Sequence, residues 1–127
     1  NPDQTLRAIR EAESYHGPSL IIAYAPCINH GVKAGMNKSM LEMKKAVDAG
    51  YWQMFRFNPA LKAEGKNPFT LDCKAPTASY QDFIKNENRY NRLAQANPER
   101  AAKLFEEAEE NAKAKFERLT KYGKLYE

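Results

Sequence analysis

The 127-residue sequence predicts an α/β fold, with a parallel-sheet portion at residues 1–76 and a helical tail at 77–127. Three patterns predict it. Ser19-Leu20-Ile21-Ile22-Ala23-Tyr24-Ala25 is an almost unbroken apolar run between turn signals, as in a strand covered on both faces. Tyr51 to Phe57 alternates large residues. Beyond Pro98, apolar residues recur at helical spacing for about five turns.

Taken in order, Asn1-Pro2 reads as an N-cap followed by a proline in the first turn. Leu6, Ile9 and Ala12 mark the apolar stripe of a short helix that Gly17-Pro18 ends. The apolar run then forms a strand that Pro26 stops, and Cys27-Ile28-Asn29-His30-Gly31 makes a turn. A second helix carries Met36, Met40, Met43 and Val47, with Gly50 as the residue just past its end. The order is helix, strand, cysteine-bearing turn, helix. Open α/β sheets bind ligands outside the carboxyl ends of their strands, and Cys27 occupies that kind of place.

Tyr51-Trp52-Gln53-Met54-Phe55-Arg56-Phe57 reads as a further strand closed by Asn58-Pro59, with Phe69-Thr70-Leu71 as its return strand. The methionine stripe and these aromatic residues are expected in the core. Ser79 caps a helix holding Phe83 and Ile84, followed by Tyr90 and Leu93. Asn97-Pro98-Glu99 repeats the start signal, and the last helix lines Ala101, Leu104, Phe105, Ala108, Ala112, Phe116 and Leu119 along one side, ending near Gly123. A helix of this kind needs a packing partner, because isolated helices are marginal in water.

A chain of this length forms one modest domain that buries roughly two-thirds of its unfolded surface. Its apolar content, 43%, argues against disorder. The net charge of +4 is concentrated in the middle: Lys33 to Lys66 holds seven basic and three acidic residues, whereas Pro98 to Glu127 balances. That excess is too mild and too scattered for a nucleic-acid binder. No apolar run approaches the ~20 residues of a membrane span. Residues 1–15 do not resemble an export signal, so a cytoplasmic, reducing setting is expected for the two cysteines. No methionine opens Asn1-Pro2-Asp3, and a fragment of a longer protein is the expectation.

No spacing suggests a hydrolytic triad, a phosphate loop or a zinc site. His16 reads as an exposed turn residue. Cys27 allows three readings: a buried apolar thiol, a nucleophile activated by His30, or a ligand to iron–sulfur. A four-iron cluster takes four thiolates, and this chain has cysteines at positions 27 and 73 alone. Any cluster here would draw most of its ligands from other sequence.

The stretch Gly17-Pro18-Ser19-Leu20-Ile21-Ile22-Ala23-Tyr24-Ala25-Pro26-Cys27-Ile28-Asn29-His30-Gly31 closely resembles a segment near the C-terminus of pyruvate:ferredoxin (flavodoxin) oxidoreductases. Gly50-Tyr51-Trp52, Phe55-Arg56-Phe57-Asn58-Pro59, Gly65-Lys66-Asn67-Pro68-Phe69, Leu71-Asp72 and Lys74-Ala75-Pro76 follow in the family's order. Arg89-Tyr90 and the helical tail fit its closing region more loosely. The likeness covers at least residues 17–93.

This resemblance implies the C-terminal part of a thiamine-diphosphate-binding domain in an enzyme that converts pyruvate and coenzyme A to acetyl-CoA and CO2. It implies thiamine diphosphate and magnesium as cofactors and electron flow through iron–sulfur clusters to ferredoxin or flavodoxin. It further implies a homodimer in which upstream domains of the same polypeptide complete the site. In the family, the cysteine matching Cys27 is the last of four ligands to the 4Fe–4S cluster nearest the thiamine. The other three, and the thiamine and magnesium ligands, lie upstream, so none is assigned here.

Cys73 stands where the family usually has a small polar residue, which implies a structural or free thiol. Two further expectations follow from the resemblance. Amides of Ile28 to Gly31 would donate to cluster sulfurs, and the basic stretch, Lys44 and Lys45 included, would attract an acidic ferredoxin. The competing reading is a non-catalytic helical interaction or electron-transfer accessory module.

Overall fold

The structure, a computed structural model, describes residues 1–125. Its centre is helical. Helix α1 spans Pro2–Ser14, α2 Ser39–Asp48, α3 Ala60–Ala63, α4 Tyr80–Ile84, α5 Asn88–Ala96 and α6 Pro98–Lys124. A 3-10 turn, Met36–Lys38, leads into α2. Strands β1, Phe55–Phe57, and β2, Phe69–Leu71, form a two-stranded ribbon.

The capping signals act as read. The Asn1 side chain accepts from the Gln4 amide, Ser79 from Asp82 and Asn97 from Arg100. Each satisfies a first-turn N–H that has no partner within its own helix. Gly50 sits past α2 at φ 74°, a conformation that favours glycine, and its N–H reaches the Val47 carbonyl at 3.0 Å. Gly123 does not end α6, which continues to Lys124. The Asn67 side chain instead donates to the Gly123 carbonyl, fixing the ribbon's loop to that last turn.

The core gathers Ala46 and Ala49 at the end of α2, Tyr80, Phe83 and Ile84 of α4, and Ala101 and Phe105 of α6. Tyr24, Tyr51, Trp52, Tyr90 and Leu93 pack around it. Burying an Ile84 or Phe105 side chain is worth roughly 1.5–3 kcal/mol each. This is the partner that the α6 stripe requires: Ala101 and Phe105 are buried in it as the spacing predicts, Leu119 is buried beside the ribbon, and Leu104 of the same expected side is exposed. Side-chain bonds add register, Gln81 Nε2 to the Phe105 carbonyl at 3.0 Å and Gln53 Nε2 to the Ala112 carbonyl at 2.8 Å.

Two expectations are corrected. The ribbon is antiparallel, as a return strand requires, with Phe55 paired to Leu71, Arg56 to Thr70 and Phe57 to Phe69, and no parallel pair occurs among the described residues. The apolar run at 20–25 is extended but pairs with no strand among the described residues, and Leu20 is 84% exposed. A strand is completed by a neighbour's hydrogen bonds. Among the described residues the ribbon has two strands, and neither outer edge pairs with the run. The ribbon is also shorter than predicted, since Tyr51 and Trp52 form a bend.

The second correction concerns α2. Its inward line is Glu42, Ala46 and Ala49, whereas Met40 of the expected core stripe is 75% exposed. Met36, Met43 and Val47 lie at the margin. The helix is turned by about one residue, roughly 100°, from the face that apolarity favours.

Candidate functional site

The turn after the apolar run is where the candidate chemistry sits. Pro26 ends the extended segment, and Cys27 stands exposed at the start of the turn. The Gly31 N–H closes back on the Cys27 carbonyl at 2.8 Å, with Gly31 at φ 69°. Glycine is the residue that takes this conformation at least cost.

The bend surrounds its own sulfur with donors. The backbone amide of His30, the His30 side chain and the backbone amide of Asn29 hydrogen-bond the Cys27 thiol and lower its pKa to about 7. A thiol held in that range is substantially thiolate near neutral pH, the form that binds metal or acts as a nucleophile. The donor set and the open approach therefore suit a thiolate ligand. Within this chain Cys27 is not a buried apolar thiol.

Residues distant in sequence brace this turn. The α4–α5 junction runs beside it. Lys33 N–H donates to the Asn86 carbonyl at 2.8 Å, Val32 and Glu87 form an antiparallel bridge, and Asn88 Nδ2 donates to the His30 carbonyl at 3.0 Å. On the near side, Tyr24 stacks on Trp52 with ring centres 5.6 Å apart and directs its hydroxyl to Glu87 Oε1 at 3.5 Å.

Two buried acids lie below. Glu42, 1% exposed, accepts from Asn86 Nδ2 through Oε2, while its Oε1 has no partner. Glu87 is also buried, and desolvation raises its pKa, opposed by Arg89 and reinforced by Glu42. Burial likewise raises the Tyr24 hydroxyl. None of Tyr24, Glu42, Asn86, Glu87 or Asn88 was marked by sequence reasoning. Their roles come from contacts spanning dozens of residues, and no motif announces them.

The remaining candidates stand apart from this arrangement. Cys73 is half-buried and burial raises its pKa; it and Cys27 are both free thiols. His16 is exposed in a bend, as expected. Part of the basic stretch is paired: Lys44 with Asp48 and Lys66 with Glu64 inside it, and Arg56 with Asp72 and Glu11 from outside it. That weakens the case for Lys44 as a docking charge. Lys33 and Arg92 line an open polar cleft with Asn88, Asn91 and Gln95.

Among the described residues, no group of three or more His, Cys, Asp or Glu side chains could hold a metal ion. A cluster on Cys27 would need thiolates from elsewhere. No helix among the described residues is long and apolar enough to cross a membrane.

No family model matches the chain. Curated proteins do. It is 57% identical over 124 residues to the pyruvate:ferredoxin oxidoreductase of Moorella thermoacetica, covering 98% of this chain and 10% of that protein. It is 55% identical to the pyruvate-flavodoxin oxidoreductase of Klebsiella pneumoniae, over 90% of this chain and 10% of that protein. The enzyme of the same name from Enterobacter agglomerans is 53% identical over 97% of this chain and 10% of its own length. The chain thus spans about a tenth of the length of the curated relatives it matches.

Proposed function

We propose that this chain, as a segment of a pyruvate:ferredoxin/flavodoxin oxidoreductase, gives the enzyme one thiolate ligand, Cys27, for a 4Fe–4S cluster. The whole protein would oxidatively decarboxylate pyruvate with coenzyme A to acetyl-CoA and CO2, and pass the electrons to ferredoxin or flavodoxin. The single observation that carries the assignment is the exposed Cys27 sulfur, held by the His30 and Asn29 amides and the His30 side chain. That geometry sits within a sequence more than half identical to enzymes so named.

When bound, the cluster supplies one-electron transfer, and thiamine diphosphate with magnesium supplies decarboxylation through residues outside this chain. The work of this chain's own residues is narrower. The turn presents the sulfur, its amides stabilise negative charge there, and Gly31 lets the chain double back beneath it. The unpaired run at 20–25 fits the same reading. Its exposed apolar side chains and free backbone groups suit insertion between strands of the larger protein's parallel sheet, the C-terminal part of a thiamine-binding domain. Residues 77–127 would be the helical tail of that portion, with Tyr126 and Glu127 lying outside the described residues.

The test is made on the full-length protein. It should be brown, contain iron and sulfide, and reduce a viologen dye when given pyruvate and coenzyme A. Cys27→Ala should lose one cluster's iron. A colourless, inert protein, or a Cys27→Ala variant with its full iron content, would overturn the proposal.

A further inference from the structure

We infer that Asn88 is a positioning residue for Cys27, its side-chain amide locking the turn that presents the sulfur. The inference rests on the reading of Cys27 as a cluster ligand and extends it to a residue 61 positions further along the chain.

The Cys27–Gly31 turn closes on itself through the Gly31 N–H to Cys27 carbonyl bond. One such bond leaves the intervening peptide units free to rotate, and the amides that face the sulfur would rotate with them. The α4–α5 junction removes that freedom. Asn88 Nδ2 holds the His30 carbonyl at 3.0 Å and its N–H approaches the Gly31 carbonyl at 3.4 Å. Because the His30 carbonyl and Gly31 amide belong to one rigid peptide plane, fixing the oxygen fixes that plane, which joins at the His30 Cα the plane carrying the His30 N–H and so narrows its freedom too. The neighbouring residues add a second hold: Asn86 accepts from Lys33, and Glu87 bridges Val32 and meets the Tyr24 hydroxyl. Three consecutive residues therefore grip the chain on both sides of Cys27.

The grip has a firm base. Ile84, 1% exposed, and Phe83 anchor the end of α4 in the core, and Asn86 Nδ2 donates to the buried Glu42. Gly31 is shaped to the same contact, since a Cβ there would stand 3.2 Å from Asn88 Nδ2. Position 88 also needs a donor. Aspartate in its place would set two acceptors, its own oxygen and the His30 carbonyl, against each other. Groups that orient a metal ligand without touching the metal typically account for about 10–100-fold in metal affinity or activity.

The test compares four variants of the full-length enzyme: Asn88→Ala, Asn88→Asp, Asn91→Ala and Cys27→Ala. Two readouts are taken, the rate of iron transfer to bathophenanthroline and the electron paramagnetic resonance spectrum of the reduced clusters. Asn91 lies one turn along α5 and lines the same cleft as Asn88. Both Asn88 variants should lose one cluster's iron about 10–100-fold faster and alter its spectrum, Asn88→Asp more than Asn88→Ala. Asn91→Ala should match the unaltered enzyme. Unchanged release in both Asn88 variants, or equal acceleration in Asn91→Ala, would overturn the inference. If Cys27→Ala lacks a cluster while the Asn88 variants behave normally, only the positioning role fails. If Cys27→Ala keeps its full iron content, the ligand reading fails and this inference with it.

Discussion

Arg56 grips Asp72 through two parallel hydrogen bonds, Nε to Oδ2 at 2.7 Å and Nη2 to Oδ1 at 3.0 Å. The same guanidinium pairs with Glu11 of α1. Helix α1 buries no residue, so its hold on the ribbon is polar: Glu11 to Arg56 and Asn58, and Gln4 to Asp72. Arg56→Ala removes the centre of that network and leaves Asp72, 7% exposed, without its cation. Removing one partner of a buried pair costs about 3–5 kcal/mol, and the partial exposure of Arg56 brings the expectation to about 2–3 kcal/mol. Amide hydrogen exchange should show residues 2–14 losing protection while α4 and α6 keep theirs. Unchanged protection in α1 would mean that other contacts hold it.

Acid should release the same helix. Burial raises the Asp72 carboxyl, but hydrogen bonds from Arg56 and Gln4 and the nearby charges of Arg56 and Arg7 outweigh it, and the pKa falls below the ordinary 3.8. A carboxyl that ionises more readily when folded contributes stability above its ordinary pKa. That stability is lost as pH falls through the lowered value. Docking of α1 should therefore persist down to 3.8 and fail below it. Asp72→Asn should abolish most of this transition and expose α1 already near neutral pH. A variant whose acid transition matched that of the unaltered chain would show that Asp72 is not its origin.

The difference between what was legible and what was not follows the range of the interactions. Asn1, Ser79 and Asn97 announce their helices because a cap bonds an amide three residues away. The α6 stripe and the Phe55–Leu71 pairing were readable from local periodicity and turn residues. The 20–25 run is extended yet unpaired in this chain, because apolarity marks a segment that favours burial and does not name the partner that completes a strand. The α2 face misled because Glu42 is accommodated inside by Asn86, a contact across 44 residues. Cys27 was visible through its place in a resembling motif. The asparagines and glutamate bracing its turn were not, since common polar residues take such roles only through the fold.

Gly50 offers a test of the junction between α2 and the core. It holds φ 74°, and a Cβ added there would meet Pro76 Cγ at 2.6 Å. Gly65 has a similar φ of 69° but nothing within 4 Å of an added Cβ. Gly65→Ala therefore carries only the conformational cost, about 1–3 kcal/mol. Gly50→Ala adds displacement of a ring that cannot swing aside, and denaturant unfolding should place it at least ~1 kcal/mol below Gly65→Ala, in the range of overpacked sites. Equal midpoints for the two variants would mean that Pro76 yields freely.

The two cysteines should part company in reactivity. In the metal-free chain, Cys27 is exposed and its thiol is lowered to about 7 by the His30 backbone, the His30 side chain and the Asn29 backbone. Cys73 is half-buried, and desolvation raises it above the ordinary 9.0 despite a hydrogen bond from the Met54 backbone. The thiolate is the species that reacts with iodoacetamide, so alkylation of Cys27 should rise through about pH 7 and level off above it. Alkylation of Cys73 should remain slow until pH exceeds 9.0. Peptide mass spectrometry after brief labelling resolves the two sites. His30→Ala removes the side-chain donor but leaves the backbone amide, so it should move the Cys27 profile to higher pH without bringing it level with Cys73. A profile unmoved by His30→Ala would assign the activation of Cys27 to the backbone of the turn alone.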